Sequence, residues 1–165
     1  PAPKPWEEVL TIAAPAAEHP GAAFRDAHVA LAFAGGGDHE AMAKITSRLR
    51  KSAEEGNSFA REVVLPLVQG IEAFANEDYT ESVRLMEPVF PQLVRVGGSH
   101  AQREVFEDTM LEAYIRAEQF EKAEDMLVEV GGKARELIQG RSKTAETVEE
   151  RIRAARALEA IKLRG

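Results

Sequence analysis

Apolar residues recur every three or four positions along this chain, and no stretch alternates apolar and polar for long enough to suggest a strand. After an extended "PAPKP", the spacing predicts a short helix with Trp6, Val9, Leu10 and Ala13 on one face. Pro15 and Pro20-Gly21 are expected to punctuate the chain there. The next stripe, Phe24, Ala27, Leu31 and Ala34, predicts a helix ending at Gly35-Gly36-Gly37. Asp38 is expected to cap a helix carrying Ala41, Met42, Ile45 and Leu49 that ends near Gly56. Ser58 is expected to cap another through Val63, Val64, Leu67, Val68, Ile71 and Phe74, kinked or truly started by Pro66. Tyr79, Val83, Met86 and Phe90 form the next face, with Pro88 and Pro91 making its end irregular. After Gly97-Gly98 come Val105, Phe106, Met110, Leu111, Tyr114 and Ile115. Then, beyond an "AEQF" corner, come Phe120, Ala123, Leu127 and Val130 up to Gly131-Gly132. A shorter segment holds Leu137 and Ile138. A final stripe, Val148, Ile152, Ala155, Leu158 and Ile161, has arginine and glutamate on its other faces.

Three corners share a pattern. "GGGDHEAMAKI" places Asp38, Ala41 and Ile45; "ANEDYTESVRLM" places Tyr79, Ser82 and Met86; "RAEQFEKAEDML" places Phe120, Ala123 and Leu127. In each, a residue opens the second helix, a small one follows three later and a large apolar one four after that. Val29, Gly70 and Leu111 stand nine residues before each opening, and the openings lie 79 − 38 = 41 and 120 − 79 = 41 residues apart. A helix-turn-helix unit recurring about every 40 residues is the mark of a helical repeat array. Small residues let paired helices touch, and each unit needs a neighbour to bury its second apolar side. The alternative is an unrelated helical bundle with coincident spacing.

Composition sharpens this picture. Alanine dominates the apolar fraction while aromatics make only 6% of 165 residues, which favours close-packed helices. A chain of this length suits one domain able to bury roughly 70% of its extended surface. A net charge of −7 argues against a nucleic-acid partner, and the absence of cysteine removes disulfides and thiolate chemistry. No apolar run is long enough to span a bilayer and no signal-peptide pattern opens the sequence, so a cytoplasmic location without integral membrane contact is expected.

Candidate chemistry is sparse. "GGSHAQRE" combines glycines with Ser99, His100, Gln102 and Arg103. Ser99 and Gln102 match a capping box, in which each side chain accepts from the other's backbone N–H. His100 and Arg103 at the positive end of that helix are candidates for an anion contact. Ser99, His100 and Asp108 do not have the sequence pattern of a catalytic triad. His28 with Asp26 and Glu40, and His39 with Asp38, lack a metal-ligand motif, and His19 lies between prolines; hydrogen-bonded or solvated histidines are the expected reading. "GGG" at 35–37 lacks the Lys-Ser/Thr of a phosphate loop. No metal, cofactor or enzymatic activity is expected.

The stretches "FRDAHVALAFAGGG", "REVVLPLVQGIEAFANEDYTESVRLMEPV" and above all "RVGGSHAQREVFEDTMLEAYIRAEQFEKAEDML" resemble the tetratricopeptide repeat protein 38 family, from about Phe24 to Leu127. The resemblance implies the C-terminal portion of a longer protein, stacked tetratricopeptide-like hairpins and no established catalytic residues. The final "TVEERIRAARALEAIKLRG" departs from it. The expected architecture is therefore an all-α, short right-handed solenoid of about three helix pairs over 23–132, preceded by a segment with a short helix over 1–22. A linker and a capping or dimerising helix occupy 133–165.

In tetratricopeptide stacking the first helix of each pair lines a concave groove. That face supplies Asp26, Ala30 and Phe33; Leu67, Ile71 and Phe74; Asp108, Glu112 and Ile115. Ile71 and Phe74 are the first of these expected to turn inward instead. Such a groove, part apolar and part acidic, suits a basic or amphipathic peptide. The expected function is a protein-interaction or scaffold module. The alternatives are an architectural or homodimerising domain, paired through the C-terminal helix, or a hydrolase-like enzyme assembled in space.

Overall fold

A computed structural model describes residues 6–127, with His100 described by its backbone alone. The terminal stripe from Val148 to Ile161, the segment around Leu137 and Ile138, Val130 to Gly132 and the opening "PAPKP" lie outside the described residues. Every regular element among the described residues is helical. The chain divides into two compact units, Pro1–Met110 and Leu111–Gly165.

In the first unit, α1 spans Trp6–Glu18, α2 Ala23–Gly36 and α3 His39–Glu54. A π-helical turn over Ala60–Val64 leads into α4, Leu65–Ala75. Helix α5, Tyr79–Met86, continues as a 3-10 segment over Glu87–Val96, and α6, His100–Arg116, begins before the division between the units. In the second unit the described residues are the remainder of α6, a turn, and a helical run over 120–127.

Prolines shape these elements in different ways. Pro15 does not end α1, which runs through it to Glu18 because Ala13, Ala16 and Ala17 bury their side chains beyond and before it. Burial of that alanine face offsets the one backbone hydrogen bond that proline removes. Pro66 stands in the first turn of α4, and the preceding turn widens so that the Leu65 N–H donates to the Ala60 carbonyl, five residues back. Pro88 and Pro91 fall in the 3-10 segment, where Val89, Leu93 and Val96 still reach the core.

The helix-turn-helix corners are built alike, and their register differs from the spacing in the sequence. Gly37, Glu77 and Glu118 take φ of +71°, +62° and +59°. The N–H groups of the residues that follow reach back five positions, Asp38 to the Phe33 carbonyl, Asp78 to Ala73 and Gln119 to Tyr114, each at 2.9 Å. This left-handed stop satisfies carbonyls that the ending helix leaves open. The stops are 77 − 37 = 40 and 118 − 77 = 41 residues apart. The residue matching Tyr79 and Phe120 is therefore His39, not Asp38, and the later matches are Met42 and Thr46, not Ala41 and Ile45. Ala30 likewise replaces Val29. The burial pattern agrees: Ala30, Gly70 and Leu111 are buried, as are Met42, Ser82 and Ala123, whereas Val29 and Ala41 are half-exposed. Aspartate caps the second helix at two corners, Asp38 accepting from the Ala41 N–H and Asp78 from the Glu81 N–H. Met42 stands where the other corners have small residues, so the three units are not identical.

A fourth stop, at Gly56, precedes Asn57, whose Oδ1 accepts from the Ala60 N–H at 3.0 Å. Asn57 is thus the cap expected of Ser58; the αL glycine sets the chain so that the residue directly after it reaches the first turn.

Helix α2 packs against α1, α3 and α4, and α4 against α5. Phe33, Ile45, Leu67, Ile71 and Met86 fill this core, and Phe106 and Met110 are equally buried. Gly70 permits the α4–α5 contact. A side chain there would overlap Met86 Cγ, and the Gly70 carbonyl accepts from the buried Ser82 hydroxyl at 2.8 Å. Gly35 and Gly36 similarly leave room for Trp6 and Leu10 of α1. Trp6 and Val9, expected on the buried face, are exposed, as is Val105, because α1 and α6 turn neighbouring positions inward.

Candidate functional site

The start of α6 is closed by its own side chains. Gly97 and Gly98 have φ of +100° and +79° and turn the chain out of the 3-10 segment. Ser99 Oγ then accepts from the Gln102 N–H at 3.3 Å, while Gln102 Oε1 accepts from the Ser99 N–H at 2.8 Å. The guanidinium of Arg103 donates back to the Gly98 carbonyl. These bonds use two of the N–H groups that an anion at the helix start would need, and turn Arg103 toward a carbonyl instead. The side chain of His100 lies outside the described residues. Ser99→Ala is expected to lower stability by about 0.5–2 kcal/mol, measured as a shift in urea midpoint. No change would show that the cap contributes nothing.

His28 ties α2 to this start. Its Nδ1 lies 2.7 Å from the Phe24 carbonyl oxygen and its Nε2 3.1 Å from the Gln102 carbonyl oxygen. The ring tilts against Phe24 and meets Phe106 edge-on, with centroids 4.1 and 5.0 Å away. Phe24 in turn covers Gly98, where a Cβ would overlap its ring. Both imidazole nitrogens therefore face backbone oxygens. Among the described residues no group of three His, Asp or Glu side chains could hold a metal ion.

The residues read as a groove separate into three environments. Phe33, Leu67 and Ile71 are exposed by 1% or less and belong to the core, where they cannot line an open surface. The helical period allows that face to point either way, and here it turns inward, where α2 and α4 pack on each other and on their neighbours. Phe74 is half-buried with its ring edge-on to Tyr79, centroids 5.4 Å apart. On α6, Asp108 is exposed, Ile115 half-buried, and Glu112 accepts from Arg116 Nε at 2.9 Å.

Asp26 has a different setting. It is 1% exposed, in the first turns of α2. Its Oδ2 accepts from the Gly21 N–H at 2.6 Å and its Oδ1 from Arg25 Nη2 at 3.3 Å. Burial pushes its carboxyl above the usual aspartate range, although the Gly21 and Arg25 bonds pull the other way. It lines a cleft of about 320 Å3, counting the open mouth, between the α2 start, the end of α3 and the π-turn. Leu49, Phe59, Ala60 and Val64 form apolar walls, and Ser52 and Asn57 a polar edge.

No protein-family model matches the chain, and no solved structure matches it. Nor is any helix among the described residues long and apolar enough to cross a membrane. Asp26 was legible in sequence only as an acid on the second helix. Ser52, Asn57 and Phe59 carry no motif and meet it through the chain reversal at Gly56, whose glycine was the only local signal.

Proposed function

We propose that this chain is a helical-repeat interaction module, tetratricopeptide-like and akin to the C-terminal portion of the tetratricopeptide repeat protein 38 family, that holds a peptide or protein segment and performs no chemistry itself. The observation that carries this reading is the recurring corner, with a left-handed stop at Gly37, Glu77 and Glu118 followed at once by a new helix. Such arrays work by presenting side chains from successive helices to an extended partner. A cleft that combines apolar walls with a few converging polar groups also supports binding. The experiment is selection of peptides from a random library on the immobilised full chain, followed by calorimetry in solution. The expected result is a shared sequence pattern among the selected peptides and 1:1 binding that a scrambled peptide loses. Peptides with no common pattern, bound no better than their scrambled forms, overturn the reading.

A further inference from the structure

We infer that His28 is a pH-sensitive latch at the Gly97-Gly98 junction: with both ring nitrogens protonated it ties α2 to the start of α6, and with one proton it holds only its own helix. The latch is a property of the fold and is independent of the interaction-module reading.

A neutral imidazole has one N–H and one bare nitrogen, whereas an imidazolium donates from both. Both polar neighbours of His28 are backbone carbonyl oxygens, which only accept: that of Phe24 lies 2.7 Å from Nδ1 and that of Gln102 3.1 Å from Nε2. A ring with a single proton therefore makes one of these hydrogen bonds and sets a nitrogen lone pair against an oxygen at the other. Only the doubly protonated ring makes both. Imidazole is the side chain that passes between these forms at about pH 5 to 8, and this one is half-buried, so water can deliver the proton.

Geometry decides which bond is lost. The contact to Phe24 is the shorter, is part-buried and lies within one helix at a spacing of four residues. The contact to Gln102 is longer, lies at the surface and joins positions 74 residues apart. Nδ1 therefore keeps the last proton, and loss of the other releases the ring's hydrogen bond to α6. The turn at stake has little else to steady it. Gly97 and Gly98 both have positive φ, and the first turn of α6 is otherwise held by exposed hydrogen bonds of Ser99, Gln102 and Arg103. Phe24 over Gly98 and the buried Phe106 keep their apolar contacts in either form, so deprotonation loosens this turn without unfolding the helix behind it.

The surrounding charges leave the ring free to respond. On α2, Arg25 and Asp26 pair with each other at 3.3 Å. In the 3-10 segment Arg95 lies over the Phe59 ring. On α6, Arg103 is turned to the Gly98 carbonyl, and Glu104 and Glu107 follow with a sign that favours an imidazolium. His100 stands in the same turn and titrates over the same range, so it must be controlled for. The Phe24 and Phe106 rings, 4.1 and 5.0 Å away, lie within the roughly 6 Å over which an aromatic ring attracts a cation. A proton that adds a bond to the closed turn favours the closed turn. The tie is therefore complete on the acid side and is lost as pH rises through the titration of the ring.

The test uses the isotopically labelled full chain at about pH 5 and about pH 8. Long-range proton–nitrogen spectra should show both ring nitrogens of His28 protonated at the lower pH and Nδ1 alone at the higher. The carbonyl carbon signal of Gln102 should move with the ring's titration. Amide exchange from Gln102 to Phe106, corrected for intrinsic rates, should lose protection by about tenfold across this range, the size expected for one hydrogen bond from a charged donor. Amides of α4 should keep theirs. His100→Gln should retain this pH dependence, and His28→Gln should abolish it. A neutral ring with its proton on Nε2, protection that does not change with pH, or a pH dependence that survives His28→Gln overturns the inference. The ring and carbonyl signals of the parent chain need no variant and decide the matter if His28→Gln fails to fold.

Discussion

Phe33→Ala will cost the fold about 3–5 kcal/mol, the range for removing a fully buried phenylalanine from a core. The side chain is 1% exposed on α2, the helix that packs against α1, α3 and α4, so its loss leaves a cavity inside that packing. A domain of this size is stable by about 5–15 kcal/mol in all, so the variant should sit close to its unfolding threshold. Urea denaturation followed by circular dichroism measures the cost, with an unchanged slope showing that the loss lies in the folded state. A cost below about 1 kcal/mol would return Phe33 to an open surface. Had it lined a groove, the substitution would have reduced partner affinity and left the midpoint where it was.

Gly70→Leu is expected to be as damaging for the opposite reason. Forcing extra atoms into a packed core costs about 1–3 kcal/mol and sometimes more. Here even a Cβ overlaps Met86 Cγ, and Met86 has no exposed surface into which it can retreat. Moving α5 away would also break the Ser82–Gly70 hydrogen bond, leaving a buried hydroxyl without its acceptor. Gly70→Ala should lose stability as well, despite alanine's advantage of roughly 0.5–1 kcal/mol inside a helix. Combining it with Met86→Ala should cost less than the sum of the two single changes, because the second makes the space that the first requires. Additive costs, or a gain from Gly70→Ala alone, would show that α4 and α5 are not held at this contact.

Helix content was legible because the apolar period near 3.6 persists through nearly every segment and glycines stand at two of the four stops. Register was less legible. Aspartate is a good cap and "GGGD" looks like one unit, so Asp38 reads as equivalent to Tyr79. The left-handed residue defines the corner, and at two of the three corners it is a glutamate, which no composition rule would choose. Function suffered from a related ambiguity. Periodicity puts Phe33 on the same side of α2 as Asp26, and Leu67 and Ile71 on one side of α4, but only the packing of the helices determines which side is covered. The cleft was illegible because it joins Asp26 to residues about 30 positions away through a reversal, and no spacing rule connects them.

The seat of Trp6 has an experimental consequence. It is the chain's one tryptophan, and its indole rests over Gly35, where the missing Cβ lets the ring approach the end of α2. Ultraviolet emission excited at the indole band therefore reports on one junction, α1 against α2, while far-ultraviolet ellipticity averages over every helix. Heating followed with both signals gives two curves from an unlabelled sample. Their separation measures how far the first helix can peel away before the remainder of the molecule melts.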